Sequence, residues 1–297
     1  MKNNPVQITV PKFVLCNVEG YDFIAKLAGE TIAVTNSEIH VYFGECVWFD
    51  GTLCAALGNI LDGLRMRNNK IRLFDLSHNI LATFRRNRFL EAFTDLSSGD
   101  QAPLTIPYQK FKLQDEEKAK DFIKKQLFDK PDMPKMSEEA KKSVLVSIFE
   151  VCVNAIVHGE CDNVYICGQI SPSRTPPEVS IAFVDLGRTI KANVNDYLKS
   201  EQSGNGTILW ALYEGNTTKT GDEPGGLGLK ILQTLINYNG GSLQIVSADG
   251  FIELKNGIFR EHKMIDYFPG TIVTIKLRLG DSNFYVLSNE MDTDNIF

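Results

Sequence analysis

The chain has 297 residues, of which 43% are hydrophobic and 23% charged, and it carries a net charge of −6 at neutral pH. That length allows about two domains with sizeable cores. The acidic balance argues against a protein that coats nucleic acid through a broad basic face, and no apolar run reaches the roughly 18 residues a membrane helix needs.

No signal peptide is expected at the N-terminus. The six cysteines (Cys16, Cys46, Cys54, Cys152, Cys161 and Cys167) form no CxxC pair and show no zinc-like spacing with histidine. Most lie in apolar runs, which predicts buried free thiols in a reducing, cytoplasmic setting.

Residues 6–45 read as short strands, Val6–Val10, Thr31–Val34 and Glu38–Phe43, separated by Gly, Asn or Pro. Gly51 leads into an apolar-periodic helix over Thr52–Arg67, with Leu53, Leu57, Ile60, Leu61 and Leu64 on its buried side. A strand at Lys70–Asp75 follows, then a second helix near Asn79–Phe93 that carries Arg85, Arg86 and Arg88. Those arginines are expected to form a solvated helix face, the alternative being a contact for an acidic partner or nucleic acid. His78 is expected at a turn or cap, because no long heptad-bearing helix surrounds it. Strand–helix–strand–helix order predicts a partly parallel α/β layer.

The stretch Asp95–Pro103 is rich in Ser and Gly and is the best boundary. It divides the chain into residues 1–102, 103–280 and a polar tail at 281–297 expected to fray. Beyond it, a charged amphipathic helix is expected over 114–128. A Ser137 cap then leads into an apolar-periodic helix running to His158. On that helix Glu150 and Asn154 stand four residues apart and so project side by side. Gly159 is expected to end it in the left-handed conformation. Strands follow at Asn163–Ile170 and Glu178–Val184, then Asp185-Leu-Gly187, and a helical region over 190–214 broken at 203–206. The breaker-rich loop 215–225 opens onto Gly226-Leu-Gly228 and a helix to Asn237. A strand at Ser242–Ser247, a hairpin near 250–257 and a last strand containing Gly270 and Thr271 complete the chain.

These residue types suit a magnesium-bound triphosphate. Mg²⁺ takes hard oxygen ligands, which Asn154 supplies without the proton ambiguity of a carboxylate. Glu150, one turn away, can orient or deprotonate an attacking water or hydroxyl. Asp185, acting as acceptor, can take a hydrogen bond from an adenine amino group and reject guanine. Gly187 lets backbone lie against a base. Gly226 and Gly228 offer amide N–H groups at a helix N-terminus, and Lys219 can swing from its loop onto the terminal phosphate. Taken singly, Asp185 also suits an ordinary turn, and Lys219 a solvated loop.

Glu150-x-x-x-Asn154-Ala-x-x-His158-Gly159, Asp185-x-Gly187, Gly226-x-Gly228 and Gly270-Thr271, in that order, resemble the Bergerat (GHKL) ATP-binding fold over most of 114–279. The helix motif is most similar to anti-sigma-factor serine kinases, and the 215–228 loop to histidine-kinase lids. Thr271 is carried over as an adenine-end contact by this resemblance alone. Thr189 stands where the family's Asp-x-Gly-x-Gly box has its second glycine.

Upstream, Val47–Leu57 and Ile71–Asp75 resemble the STAS-like domains of anti-sigma-factor antagonists, in which a Ser or Thr after the helix-start Asp is phosphorylated. Thr52 falls near that place, although the chain reads Asp-Gly-Thr-Leu rather than Asp-Ser-Ser-Gly. The other reading of Asp50 and Thr52 is a helix cap.

The expected protein is therefore α/β: a STAS-like domain followed by a GHKL ATP-binding sandwich, with ATP and Mg²⁺ as ligands. It acts as a regulatory ATPase or serine/threonine kinase of the partner-switch type. The alternatives are a nucleotide-sensing module without turnover or a histidine-kinase-like protein. A protein partner is expected, a homodimer stays open, and neither membrane nor nucleic acid is expected as a partner.

Overall fold

A computed structural model describes residues 5–94, 104–130, 132–213, 215–216 and 227–290. The chain is a mixed α/β protein with several sheets. Its first third comprises β1 (Val6–Thr9), β2 (Phe13–Val14), α1 (Val18–Thr31), β3 (Glu38–Tyr42), β4 (Trp48–Phe49), α2 (Cys54–Met66), β5 (Lys70–Phe74), α3 (His78–Arg86) and α4 (Phe89–Phe93). Strands β1, β3 and β5 form a three-stranded parallel sheet, as the strand–helix alternation predicts.

Two expectations fail here. Thr31–Val34 is not a strand: Thr31 ends α1, its hydroxyl donating to Leu27 O at 2.7 Å. Helix α1 hides from periodicity because Gly20 and Gly29 interrupt it, yet Asn17 caps it by accepting from Gly20 N at 3.1 Å. Gly20 is needed there because a Cβ would stand 1.9 Å from Leu15 O. The single helix expected over Asn79–Phe93 is two, parted where Arg88 takes a left-handed φ of 57°. The break lets Asn87 donate to Gly51 O at 3.0 Å and accept from Tyr108 N at 2.8 Å.

The remainder comprises β6 (Thr105–Lys112), α5 (Glu116–Ile123), β7 (Lys135–Met136), α6 (Glu138–Val157), β8 (Asn163–Ser171), β9 (Glu178–Asp185), α7 (Ile190–Leu198), α8 (Gly204–Leu212), α9 (Leu227–Asn239), β10 (Ser242–Lys255), β11 (Ile258–Arg278) and β12 (Phe284–Tyr285). A π-helical turn at Lys124–Phe128 extends α5. Five of the strands form an antiparallel sheet in the order β10-β11-β9-β8-β6. The hairpin expected over 250–257 is longer: β10 and β11 stay paired from Lys255↔Ile258 to Ser242↔Lys276. Residues 281–290 do not fray, since β12 pairs with β7 and Ser137 Oγ donates to Glu290 at 2.7 Å.

Both faces of the five-stranded sheet are covered, so its strands read as nearly continuous apolar runs rather than alternating ones. Val179, Ile181 and Phe183 face α6, α8 and α9, whereas Ala182 and Val184 join the core built from the first third of the chain. Helix α2 lies between the two sheets, and every residue from Cys54 to Leu61 is buried. A helix apolar all round is the sequence counterpart of that central position. Phe43, Phe49, Phe84 and Phe89 form an edge-packed aromatic group beneath β3. The five buried thiols, Cys16, Cys46, Cys54, Cys152 and Cys167, are all unbridged, as is Cys161. Among the described residues no helix is long and apolar enough to cross a membrane.

Polar contacts tie the interlayer core. The Tyr21 hydroxyl donates to Gln244 Oε1 at 2.9 Å and lies 2.9 Å from Thr274 Oγ1. Lys110 Nζ and Tyr165 OH both donate to Asp62 Oδ2 at 2.5 Å. Asp50 caps the turn before α2 by accepting from Thr52 N at 3.0 Å. Thr52 is fully buried, its Oγ1 2.6 Å from Ser180 Oγ. The capping reading of Asp50 thus describes this turn. The hydroxyl that would serve as phosphoacceptor is sealed between layers. Thr52→Asp should bury an uncompensated carboxylate and lower stability by about 3 kcal/mol or more, read as a shift of the urea midpoint. Unchanged stability would mean that the layers part readily.

Candidate functional site

A cleft opens between the five-stranded sheet and the helices on its far face, enclosing about 1250 Å³ of empty space with its open mouth included. One wall is the C-terminal half of α6, bearing Glu150, Asn154 and His158. The floor is β9, β10 and β11, through Phe183, Asp185, Ile245, Thr271 and Val273. Helices α7 and α8 close the other side with Asn193, Ile208 and Trp210, and Leu229 brings the first turn of α9 to the rim.

Of the residues expected at a site, Glu150, Asn154, Asp185 and Thr271 line this one cleft. Ser137 caps α6 by accepting from Ala140 N at 3.1 Å, and Val144, Ile148 and Val151 bury one side of the helix. That anchoring leaves Glu150 and Asn154, one turn apart, on the half-exposed side. Neither side chain hydrogen-bonds to another described residue, so both polar ends are available to a ligand. Gly187 borders the floor in the turn after β9, and Gly228 lies in the first turn of α9. Lys219 and Gly226 lie outside the described residues.

Asp185 ends β9 opposite Thr271 of β11 and is only 1% exposed. Its Oδ1 accepts from Gly187 N at 3.0 Å. Burial without a cationic partner among the described residues dominates its chemistry. Desolvation pushes the carboxyl up from the usual 3.8 to about 7, and hydrogen bonds from the Gly187 and Thr271 amides only partly offset this.

Two glycines serve different ends from those expected. Gly159 is not left-handed: Glu160 takes that conformation, with φ 51°. A Cβ on Gly159 would stand 2.1 Å from Ala155 O, so close passage of the chain over α6 demands glycine. A Cβ on Gly187 would come 2.0 Å from Gly159 O, and Arg188 N donates to that same carbonyl at 2.5 Å. The two glycines therefore let the turn after β9 lie directly on the exit of α6, which holds Asp185 and Asn154 to one frame. Thr189 is accounted for as the cap of α7, accepting from Ala192 N at 3.2 Å.

Periodicity did not single out Arg188, Asn193 or Trp210. Arg188 pairs with Glu160 at 3.5 Å and with Asp196 at the cleft rim. Asn193 Nδ2 donates to His158 O at 2.7 Å, joining α7 to the end of α6. Trp210 packs against Tyr197 with the rings tilted, their centroids 5.8 Å apart. The break expected at 203–206 lies at 199–203 instead, because Ser203 caps α8 and Gly204–Gly206 form its first turn; the tryptophan in that short apolar helix was the one available signal, and helical spacing alone reads it as core.

Asp185 and Leu186 part to opposite faces of the sheet: the carboxyl lines the cleft, and Leu186 packs on the interlayer core beside Gly63 of α2. Thr52 bonds to Ser180, whose side chain shares the face of Ala182 and Val184, so it lies across the sheet from the cleft. Among the described residues no group of three or more His, Cys, Asp or Glu gathers as a metal cage. No protein-family model matches the chain, and comparison with curated proteins gives no match.

Because Asp185 favours its neutral form when folded, its contribution to stability is complete below pH 4 and is lost as the pH rises through about 7. Wild type should therefore lose on the order of a few kcal/mol relative to Asp185→Asn between pH 4 and 8. Parallel stability curves for the two proteins would contradict this burial.

Proposed function

We propose that the cleft binds ATP with Mg²⁺ in the manner of a Bergerat-fold (GHKL) domain, and that the chain is a cytoplasmic regulatory ATPase or serine/threonine kinase joined to a STAS-like N-terminal layer. One observation carries this reading: Glu150 and Asn154 of α6, Asp185 of β9 and Thr271 of β11, four residues from three separate segments, line a single cleft. Their chemistry fits the ligand. Asp185 is a buried acceptor that lacks a cation, and an adenine amino group is the kind of donor it wants. Asn154 and Glu150 carry unengaged oxygens on the same wall.

In this reading Asp185 fixes the base, with its Gly187 and Thr271 amide contacts holding the carboxyl in place. Asn154 lends its carboxamide oxygen to the cation, whose charge would offset that of the phosphates. Glu150 orients the attacking water or hydroxyl and takes its proton at a carboxylate oxygen. Phe183, Ile245 and Val273 keep water from the floor. Thr52 is too buried to accept phosphate in the folded chain, which favours hydrolysis or transfer to another protein. The first third of the chain, packed on the rear of the sheet, is the part suited to reporting nucleotide state to a partner.

Calorimetric titration should show ATP binding that strengthens with Mg²⁺ and fails with GTP. Asp185→Ala should weaken it by about tenfold or more, and Asn154→Ala should remove the Mg²⁺ dependence. Glu150→Ala should bind ATP yet release no phosphate. Indifference of the wild-type chain to adenine nucleotides would overturn the proposal. Label from γ-³²P-ATP appearing on a protein rather than as free phosphate would assign the kinase over the ATPase.

A further inference from the structure

The β10–β11 hairpin carries an open strand edge. Its turn, Asn256-Gly257, has φ values of 52° and 73°, the two-residue form that matches strand twist. Lys255↔Ile258 is therefore the hydrogen-bonded pair beside the turn. By alternation, 258, 260 and 262 turn their backbone groups toward β10, and 259, 261 and 263 turn theirs away. Strand β9, which occupies that outer edge further along, pairs with β11 only from Thr271 onward. Ile265 has the same parity, and its N–H donates outward to Asp22 Oδ1 at 2.8 Å. The edge between Phe259 and Lys263 has no strand beside it among the described residues.

The side chains on this edge follow an order. Phe259, Glu261 and Lys263 share one face of the regular ladder, and Ile265 follows on the same parity where the pairing with β10 becomes irregular; Phe259 is 36% and Ile265 86% exposed. Glu261 and Lys263 are exposed and form no ion pair with a described residue. Charges commonly protect an open edge from stray pairing. Here their sequence is self-complementary. When two copies run antiparallel about His262, Glu261 faces Lys263 and Phe259 faces Ile265, and each pair occurs twice by symmetry. Centring the pairing on Glu261 or on Lys263 instead sets like charges opposite each other, and His262 is the centre that pairs both charges with their opposites.

We propose that this edge is a homodimer interface, in which β11 of a second copy pairs antiparallel across His262 and joins the two five-stranded sheets into one. The occupant is a second copy because the edge complements itself: both the charged and the apolar positions find partners under one two-fold axis. The interface lies away from Glu150 and Asn154, so it stands or falls independently of nucleotide binding.

Sedimentation velocity of the full chain tests it. Wild type should dimerise. Glu261→Lys alone and Lys263→Glu alone should each weaken dimerisation by about tenfold or more, since both then face like charge. The decisive sample mixes the two variants. Lysine at both positions in one chain then meets glutamate at both in the other, and a heterodimer should form from two monomeric proteins. Circular dichroism checks that each variant is folded. A monomeric wild type, a dimer indifferent to either reversal, or a mixture that stays monomeric overturns the proposal.

Discussion

Burial of one antiparallel sheet on both faces is the constraint on which the rest depends. Side chains along β9 alternate without exception, so each is assigned either to the interlayer core or to the cleft. Val179, Ile181, Phe183 and Asp185 go one way, and Ser180, Ala182 and Val184 go the other. Slipping β9 by one residue would carry Asp185 into the apolar interlayer core and Val184 into the cleft. The chemistry of the cleft is therefore held in place by the hydrophobic register of the whole sheet. Stability and site geometry are the same property here.

Within the cleft, polarity is uneven. Asp185 sits at the dry end, served by two backbone amides and no cation. Glu150 and Asn154 sit at the wet end, on a helix wall, without side-chain partners among the described residues. A ligand that spans the two must offer a hydrogen-bond donor deep inside and an oxyanion or cation outside. That contrast is a stronger description than any single residue. A buried carboxylate is costly unless paired, and burial answers that cost here by favouring the neutral carboxyl at Asp185.

Much of this was legible in the chain. The Glu150–Asn154 spacing and the Asp185-Leu-Gly187 turn point to chemistry because such residues have no reason to interrupt apolar runs. The strand and helix around each were read within a few residues. What escaped was set by contacts distant in sequence. Helix α1 carries two glycines, and Gly20 is there only because Leu15 crosses it. Gly159 was expected to be a left-handed stop, but it is a crossing point for Gly187, twenty-eight residues on. The division of 79–93 into two helices follows from Asn87 reaching Gly51. Local pattern carries no trace of such meetings. Lys219 and Gly226 lie beyond what the structure describes.

Leu186 and Asp185 stand back to back across a single strand, one against α2 and the other in the cleft. The part of the chain that holds the cleft accordingly has no finished rear surface of its own. If the chain were cut near residue 103, Tyr165, Cys167, Val184, Val246 and Phe268 would all be stripped of their cover at once. Excision would bare a contiguous apolar face and yield an aggregating fragment rather than a smaller folded unit.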